Sequence, residues 1–156
     1  MNPRNFLTGA PALLLALSAM AAGDHAGGHG DSAIGIPGNP VKVSRTVNVD
    51  MTDNMRFHLS RVDIRQGETI RFVIRNSGKL QHEMVLGTTT DLKDHDELMR
   101  KHPGMEHADA NGVTVAPGKS GEIIWQFTHA GQVAFSCLQP GHYEAGMKGA
   151  FNVAEK

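Results

Sequence analysis

From Val41 onward the apolar residues fall in short runs of alternating character, and glycine, proline or asparagine closes nearly every run. That pattern restricts the fold more than any other feature of the chain. Ile70, Phe72 and Ile74 alternate strictly within Thr69 to Arg75. Val41, Val43, Val47 and Val49 suggest the same period, with an irregularity near Ser44 to Thr46. Period two puts apolar side chains on one face of a strand, so these segments read as half-buried strands. Further runs follow at Phe57 to Ile64, His82 to Leu86, Val113 to Val115, Gly121 to Phe127, Gln132 to Cys137 and Lys148 to Val153. Turns at Gln66-Gly67-Glu68, Asn76-Ser77-Gly78-Lys79, Ala116-Pro117-Gly118 and His129-Ala130-Gly131 separate them. Many short strands with this punctuation predict an all-β chain folded as an antiparallel sandwich, with Trp125 and Phe127 in its core.

One segment departs from the pattern. Asp91 to Lys101 is polar, and Leu98 and Met99 fall near two helical turns after Leu92. Asp91 is a candidate N-cap and Pro103-Gly104 a stop signal. A short helix inserted between two strands is expected.

The N-terminal region reads as processing signal and leader. Arg4 precedes the almost wholly apolar stretch Phe6 to Ala22, and small residues end it. A signal peptide over residues 1–22 is expected, cleaved after Ala21 or Ala22; an uncleaved anchor is the alternative. Asp24 to Pro40 is rich in Gly, His and Pro, so residues 23–40 are expected as a flexible leader and 41–156 as the domain. No other stretch is apolar enough to span a bilayer. The expectation is an exported protein, periplasmic if the source is Gram-negative, with no membrane attachment after cleavage. The chain of 156 residues carries a net charge of −1, which is no nucleic-acid signature.

The chain has a single cysteine. In an exported protein that thiol has no internal disulfide partner and risks oxidation. Either Cys137 is buried and inert, or a metal occupies it. The segment Cys137-Leu-Gln-Pro-Gly-His142-Tyr-Glu-Ala-Gly-Met147 places a thiol, an imidazole and a thioether in one loop between two expected strands. Two His, one Cys and a long axial Met make the ligand pattern of type 1 copper sites, which suits both Cu(I) and Cu(II). A second imidazole must come from elsewhere. His82 is the best candidate, because it follows a turn and opens a strand at the end of a sandwich where loops gather. His58, His95, His102, His107 and His129 are weaker ones.

A Cys, His and Met loop before the last strand, with an isolated upstream His, resembles the cupredoxin family of plastocyanin, azurin and pseudoazurin. The resemblance covers about Val41 to Val153. It implies a Greek-key β-sandwich and one copper held by His82, Cys137, His142 and Met147. The loop combines an azurin-like Cys-to-His gap with a plastocyanin-like His-to-Met gap. That combination, the run Gln139 to Met147, the segment Pro103-Gly-Met-Glu-His107 and the His-bearing leader are similar to the periplasmic copper-tolerance cupredoxins of the CopI type.

Soft and borderline donors outside the loop suggest accessory copper binding. Met99, His102, Met105 and His107 crowd the insertion, and His25 and His29 lie in the leader. Thioether favours Cu(I), and imidazole also suits copper. Ordinary roles compete with this reading: Met99 packed against the sandwich, the histidines solvated, the leader a flexible tail. Met51, Met55 and His58 form a weaker group, better read as core or surface. Three function classes follow. The first is copper tolerance, with cycling from Cu(I) to Cu(II). The second is a diffusible electron carrier serving a redox protein partner. The third is an enzyme such as a multicopper oxidase or nitrite reductase. No His-x-His pair accompanies the loop, which argues against the enzyme and leaves at most a cuprous-oxidising activity.

Overall fold

The computed structural model describes residues 32–101 and 109–156. The expected signal peptide, His25, His29, His102, Met105, His107 and the Pro103-Gly104 stop signal lie outside the described residues.

Among the described residues, ten strands and one α-helix follow in chain order: β1 (Ile36–Pro37), β2 (Arg45–Thr52), β3 (Arg56–His58), β4 (Ile64–Arg65), β5 (Thr69–Asn76), β6 (His82–Gly87), α1 (Thr89–Lys101), β7 (Gly112–Val115), β8 (Ser120–Gln126), β9 (Gly131–Ser136) and β10 (Lys148–Ala154). They form two five-stranded sheets, ordered β1-β8-β5-β2-β3 and β4-β10-β9-β6-β7. The alternation read from the sequence is the alternation that is buried. Val47, Val49 and Met51 on β2, Ile70, Phe72 and Ile74 on β5, and Ile123 and Trp125 on β8 point inward. Phe151 ties the layers together: its ring stacks on Phe72 of the facing sheet at 5.2 Å and tilts against Phe135 of its own sheet at 4.6 Å. Burying each such ring contributes about 1.5–3 kcal/mol.

Three expectations need correction. First, the sandwich is mixed and not purely antiparallel, because β2 pairs with β5 in parallel, and β4 with β10. Period two reports which face a residue occupies and is blind to strand direction. The chain leaves β2 through β3 and crosses to the other sheet at β4 before returning, so β2 and β5 are not a hairpin. Second, part of the expected leader is folded. Ile34 is buried, and its carbonyl accepts the Trp125 indole N–H at 2.9 Å. Ile36–Pro37 pair with β8. A buried indole needs an acceptor, and this segment supplies one. Gly35 makes the approach feasible: its φ is 115°, and a Cβ there would stand 2.1 Å from the Gln126 carbonyl oxygen. Third, Val41 opens no strand. Asn39 caps a 3₁₀ turn at Pro40–Lys42, accepting the Val41 N–H at 3.0 Å, and Val41 is 87% exposed.

The inserted helix is present, with its cap moved upstream: Thr88 Oγ1 accepts the Asp91 N–H at 3.1 Å. Leu92, Asp96 and Met99 fall on its buried face, and Leu92 packs with Ala134 and Leu138. This helix packs on the outer side of the second sheet, with Leu92 against Gly87, Val85, Ala134 and Leu138. No described helix is long and apolar enough to cross a membrane.

Candidate metal centre

The four residues of the expected ligand set come from two parts of the chain. His82 is the first residue of β6 and is fully buried. Cys137 follows β9, His142 is half-buried in the next loop, and Met147 immediately precedes β10. The loop folds on itself through backbone bonds. His142 N–H donates to the Gln139 carbonyl at 2.9 Å, Met147 N–H to the His142 carbonyl at 3.0 Å, and Cys137 N–H to the Met147 carbonyl at 3.0 Å. That last bond brings the two ends of the loop side by side. Cys137 and Met147 are both without solvent exposure.

One donor atom from each of His82, Cys137 and His142 lies within 4.8 Å of the other two. The Cys137 Sγ to His142 Nδ1 distance is 3.3 Å, and the two imidazole centroids are 4.9 Å apart. The His142 ring is in the state a metal requires, and Cys137 is held short of it by one proton. His82 Nε2 faces Asp53 Oδ1 at 3.1 Å, while its Nδ1 is buried with no hydrogen-bond partner. An orphaned buried imidazole nitrogen costs free energy unless something binds it, and a metal ion in this cluster would. Burial, followed by the neighbouring His82, lowers the pKa of His142 and keeps its ring neutral. Burial also pushes the Cys137 thiol up to about 12, against the pull of the Glu83 and Gln139 amides. A metal must displace that proton, so binding is coupled to proton release. One soft sulfur and two imidazoles are a donor set that fits copper.

Residues the sequence did not single out hold this set in place. Glu83 N–H donates to Cys137 Sγ at 3.4 Å, and the buried Glu83 carboxylate accepts the Leu138 N–H at 2.8 Å and the Thr114 hydroxyl at 3.3 Å. Asn76 is fully buried. Its amide donates to the Leu80 and Val115 carbonyls at 2.8 and 2.9 Å, and its Oδ1 accepts Gly78 N–H at 2.9 Å, so the turn before His82 is fixed. The amide of Lys79, more than His82, holds the Asp53 carboxyl below its ordinary range. The one available signal was local: Glu83 is an acid inside a short strand, next to a candidate ligand.

The accessory candidates divide. Met99 is buried on the inner face of α1, in the packing position weighed for it above. Met51 is core and His58 is exposed at the edge. From the same helix Arg100 bridges Asp96 at 3.2 Å and Glu144 of the Cys–His–Met loop at 2.7 Å, so the insertion is tied to the site.

Comparison with known proteins agrees with the geometry. The chain is 54% identical over 128 residues to the copper-resistant cuproprotein CopI of Rubrivivax gelatinosus, covering 80% of this chain and 78% of that one. It is 37% identical over 122 residues to CopI of Vibrio cholerae, covering 78% and 72%. It is 35% identical to CopI of Pseudomonas aeruginosa over 184 aligned positions, covering 98% and 99%. Among solved structures, the reduced auracyanin of Roseiflexus castenholzii superposes with a TM-score of 0.63 at 25% identity, covering 72% of this chain and 98% of that one. Auracyanin B gives 0.58 at 22% identity, covering 72% and 90%. Residues 43–154 match the family of copper binding proteins described as plastocyanin/azurin, and with the sandwich and its His-Cys-His cluster in place, the chain belongs to that cupredoxin family and binds copper.

Proposed function

We propose that this cupredoxin is exported to the periplasm and serves copper tolerance there, holding one type 1 copper through His82, Cys137, His142 and, more weakly, Met147. The convergence of His82, Cys137 and His142 within 4.8 Å carries the reading. The relatives' name, copper-resistant cuproprotein, supports tolerance as the role, and the apolar segment after Arg4 supports export.

Copper bound by this donor set supplies a one-electron couple. The residues of the chain do the rest. Burial of Cys137 and Met147 excludes water from the sulfur donors, and the Glu83 amide steadies the thiolate. The second sheet and the turn before His82 fix that ring before metal arrives, so little reorganisation accompanies a change of oxidation state. His142, half-buried and the least covered of the three, is the edge through which an ion or an electron reaches the site. Oxidation of incoming Cu(I) at this site releases one electron, which a redox protein partner would accept.

The test has two arms. Deletion of the gene should make cells copper-sensitive, and the wild-type chain should restore tolerance. Joint replacement of His102, Met105 and His107, leaving the buried Met99 in place, should keep the visible spectrum, lower the copper bound per chain and weaken tolerance. A deletion strain as tolerant as its parent would remove the tolerance reading. The half-exposed His142 beside buried partners favours a second reading, a diffusible one-electron carrier. One copper per chain, with tolerance unaffected by the threefold replacement, would select it.

A further inference from the structure

Both halves of the donor set touch the same short turn. Asp53, Asn54 and Met55 join β2 to β3. On one side Asp53 accepts three donors: Lys79 N–H at 2.8 Å, Leu80 N–H at 3.2 Å and His82 Nε2–H at 3.1 Å. On the other side Arg56 Nη1 donates to the Ala145 carbonyl at 3.1 Å, inside the loop between His142 and Met147, and to the Met55 carbonyl at 2.7 Å. Met55 sits at φ 60°, a left-handed conformation that few residues other than glycine, asparagine and aspartate adopt. Such a conformation persists where the surroundings over-determine it. Here Met55 N–H is bonded to the Thr52 carbonyl at 3.0 Å, and its side chain packs on the core. The turn therefore presents Asp53 to the His82 segment and Arg56 to the Cys–His–Met loop.

The carboxylate is seated closely. A Cβ at Gly78 would stand 2.0 Å from Asp53 Oδ1, so the glycine leaves the space the carboxylate fills. With Nε2 committed to Asp53, the only nitrogen His82 has left is the buried, unpartnered Nδ1. A carboxylate on the far nitrogen of a metal-binding imidazole fixes its tautomer and orientation and raises its basicity.

We propose that Asp53 is a positioning residue for copper: it locks the His82 ring with Nε2–H on the carboxylate and Nδ1 towards the metal, and so weights the site towards Cu(II). The inference rests on His82 being a copper ligand. The direction follows from charge: a carboxylate beside the ligand stabilises the more highly charged ion.

The experiment compares Asp53→Asn, Asp53→Ala and Gly78→Ala with wild type. In the metal-free wild-type protein, nitrogen NMR should find His82 protonated at Nε2, and Asp53→Ala should lose that single tautomer. In the copper-loaded proteins the thiolate-to-Cu(II) band should persist. Cu(II) affinity should fall about 10–100-fold in the Asp53 variants. Their reduction potential should rise by about 59 mV for each tenfold loss of preference for Cu(II) over Cu(I). Gly78→Ala keeps the charge but displaces the carboxylate, so its potential should move in the same direction by less. An unchanged potential in Asp53→Asn and Gly78→Ala, with the band retained, overturns the proposal even if thermal stability falls, since Asp53 would then only cap a loop. If Asp53→Ala does not fold, the other two variants decide. Failure of the underlying reading looks different: a His82→Ala protein with the wild-type spectrum removes His82 from the site whatever Asp53 does.

Discussion

The two halves of the copper site are built differently. From Cys137 to Met147 most backbone bonds close within the loop, running to Gln139, Gly141, Tyr143, His142 and Met147, while Glu83 and Arg56 are its outside partners at Leu138 and Ala145. The His82 half borrows its order from a distance, through Asp53 from the β2–β3 turn and Asn76 from the end of β5. The His82 half exists only when the sandwich has folded. Damage to the loop half should therefore change the chemistry of the site, and damage to the His82 half should change stability and tuning first.

The harshest test of that division is Cys137→Ser. The variant should lose the intense visible absorption of the Cu(II) form completely, because charge transfer to copper needs the thiolate. The fold should survive, since serine differs from cysteine by one atom and Cys137 N–H still bonds to Met147. Absorption and circular dichroism, recorded together, separate the two effects. A retained band would move the sulfur ligand elsewhere and dissolve the comparison.

On the other half, Asn76→Ala should reverse the pattern. It strips partners from the Leu80 and Val115 carbonyls and from the Gly78 amide around a fully buried position. Each orphaned group costs about 1–3 kcal/mol, and a total of about 3 kcal/mol is expected. Thermal unfolding of the metal-free protein should show it as a drop of about 10 °C. Copper, when bound, should still give the thiolate band. If the band vanished while the melting temperature held, the two halves would not divide stability from chemistry.

The same division explains what could be read from the sequence. The meeting of Cys137 and His142 is legible because their spacing within one loop brings them together. The strands are legible because burial on one face writes itself as alternation in Ile70, Phe72 and Ile74. Asp53 is not legible: it lies 29 residues from His82, in a polar turn that looks like any other. Glu83 and Asn76 gain their roles only from neighbours on other strands. The parallel pairing of β2 with β5 left no mark, since hydrophobic period does not encode direction. Ile34 and Ile36 were hidden among glycines, although Trp125, a buried indole, required an acceptor from somewhere.

Met147→Leu probes the loop half more gently. Leucine fills nearly the same buried volume, and the backbone bond to Cys137 is unaffected. A weak axial thioether tunes the metal more than it holds it. Copper should therefore be retained, and voltammetry should give a raised reduction potential, on the order of 59 mV, one decade of one-electron preference. Complete loss of copper would make Met147 a primary ligand and the loop half less self-sufficient.

The smallest expected effect lies where the inserted helix meets the loop. Asp96 is 2% exposed on the inner face of α1, and its Oδ1 has no partner. Burial above all, then the nearby Glu144, raises its pKa from 3.8, with Arg100 and Lys148 pulling it back and Glu97 adding to the rise. The native state therefore holds this proton more tightly than the unfolded chain. Between 3.8 and the raised native value, the folded protein binds more protons, so stability falls as pH rises through that window. Above it, the ionised carboxylate keeps Arg100 at 3.2 Å but leaves one oxygen unsatisfied. In Asp96→Asn that slope should disappear. At neutral pH the change in stability should stay within about 1 kcal/mol, since a costly buried charge and a partly exposed ion pair are lost together. Arg100 retains Glu144, so the tie between helix and loop should persist, and the copper spectrum with it. Denaturant melts of the metal-free protein at several acidic pH values would read the slope. A slope as steep in the variant as in wild type would place the linked proton on another group and leave the helix–loop contact independent of pH.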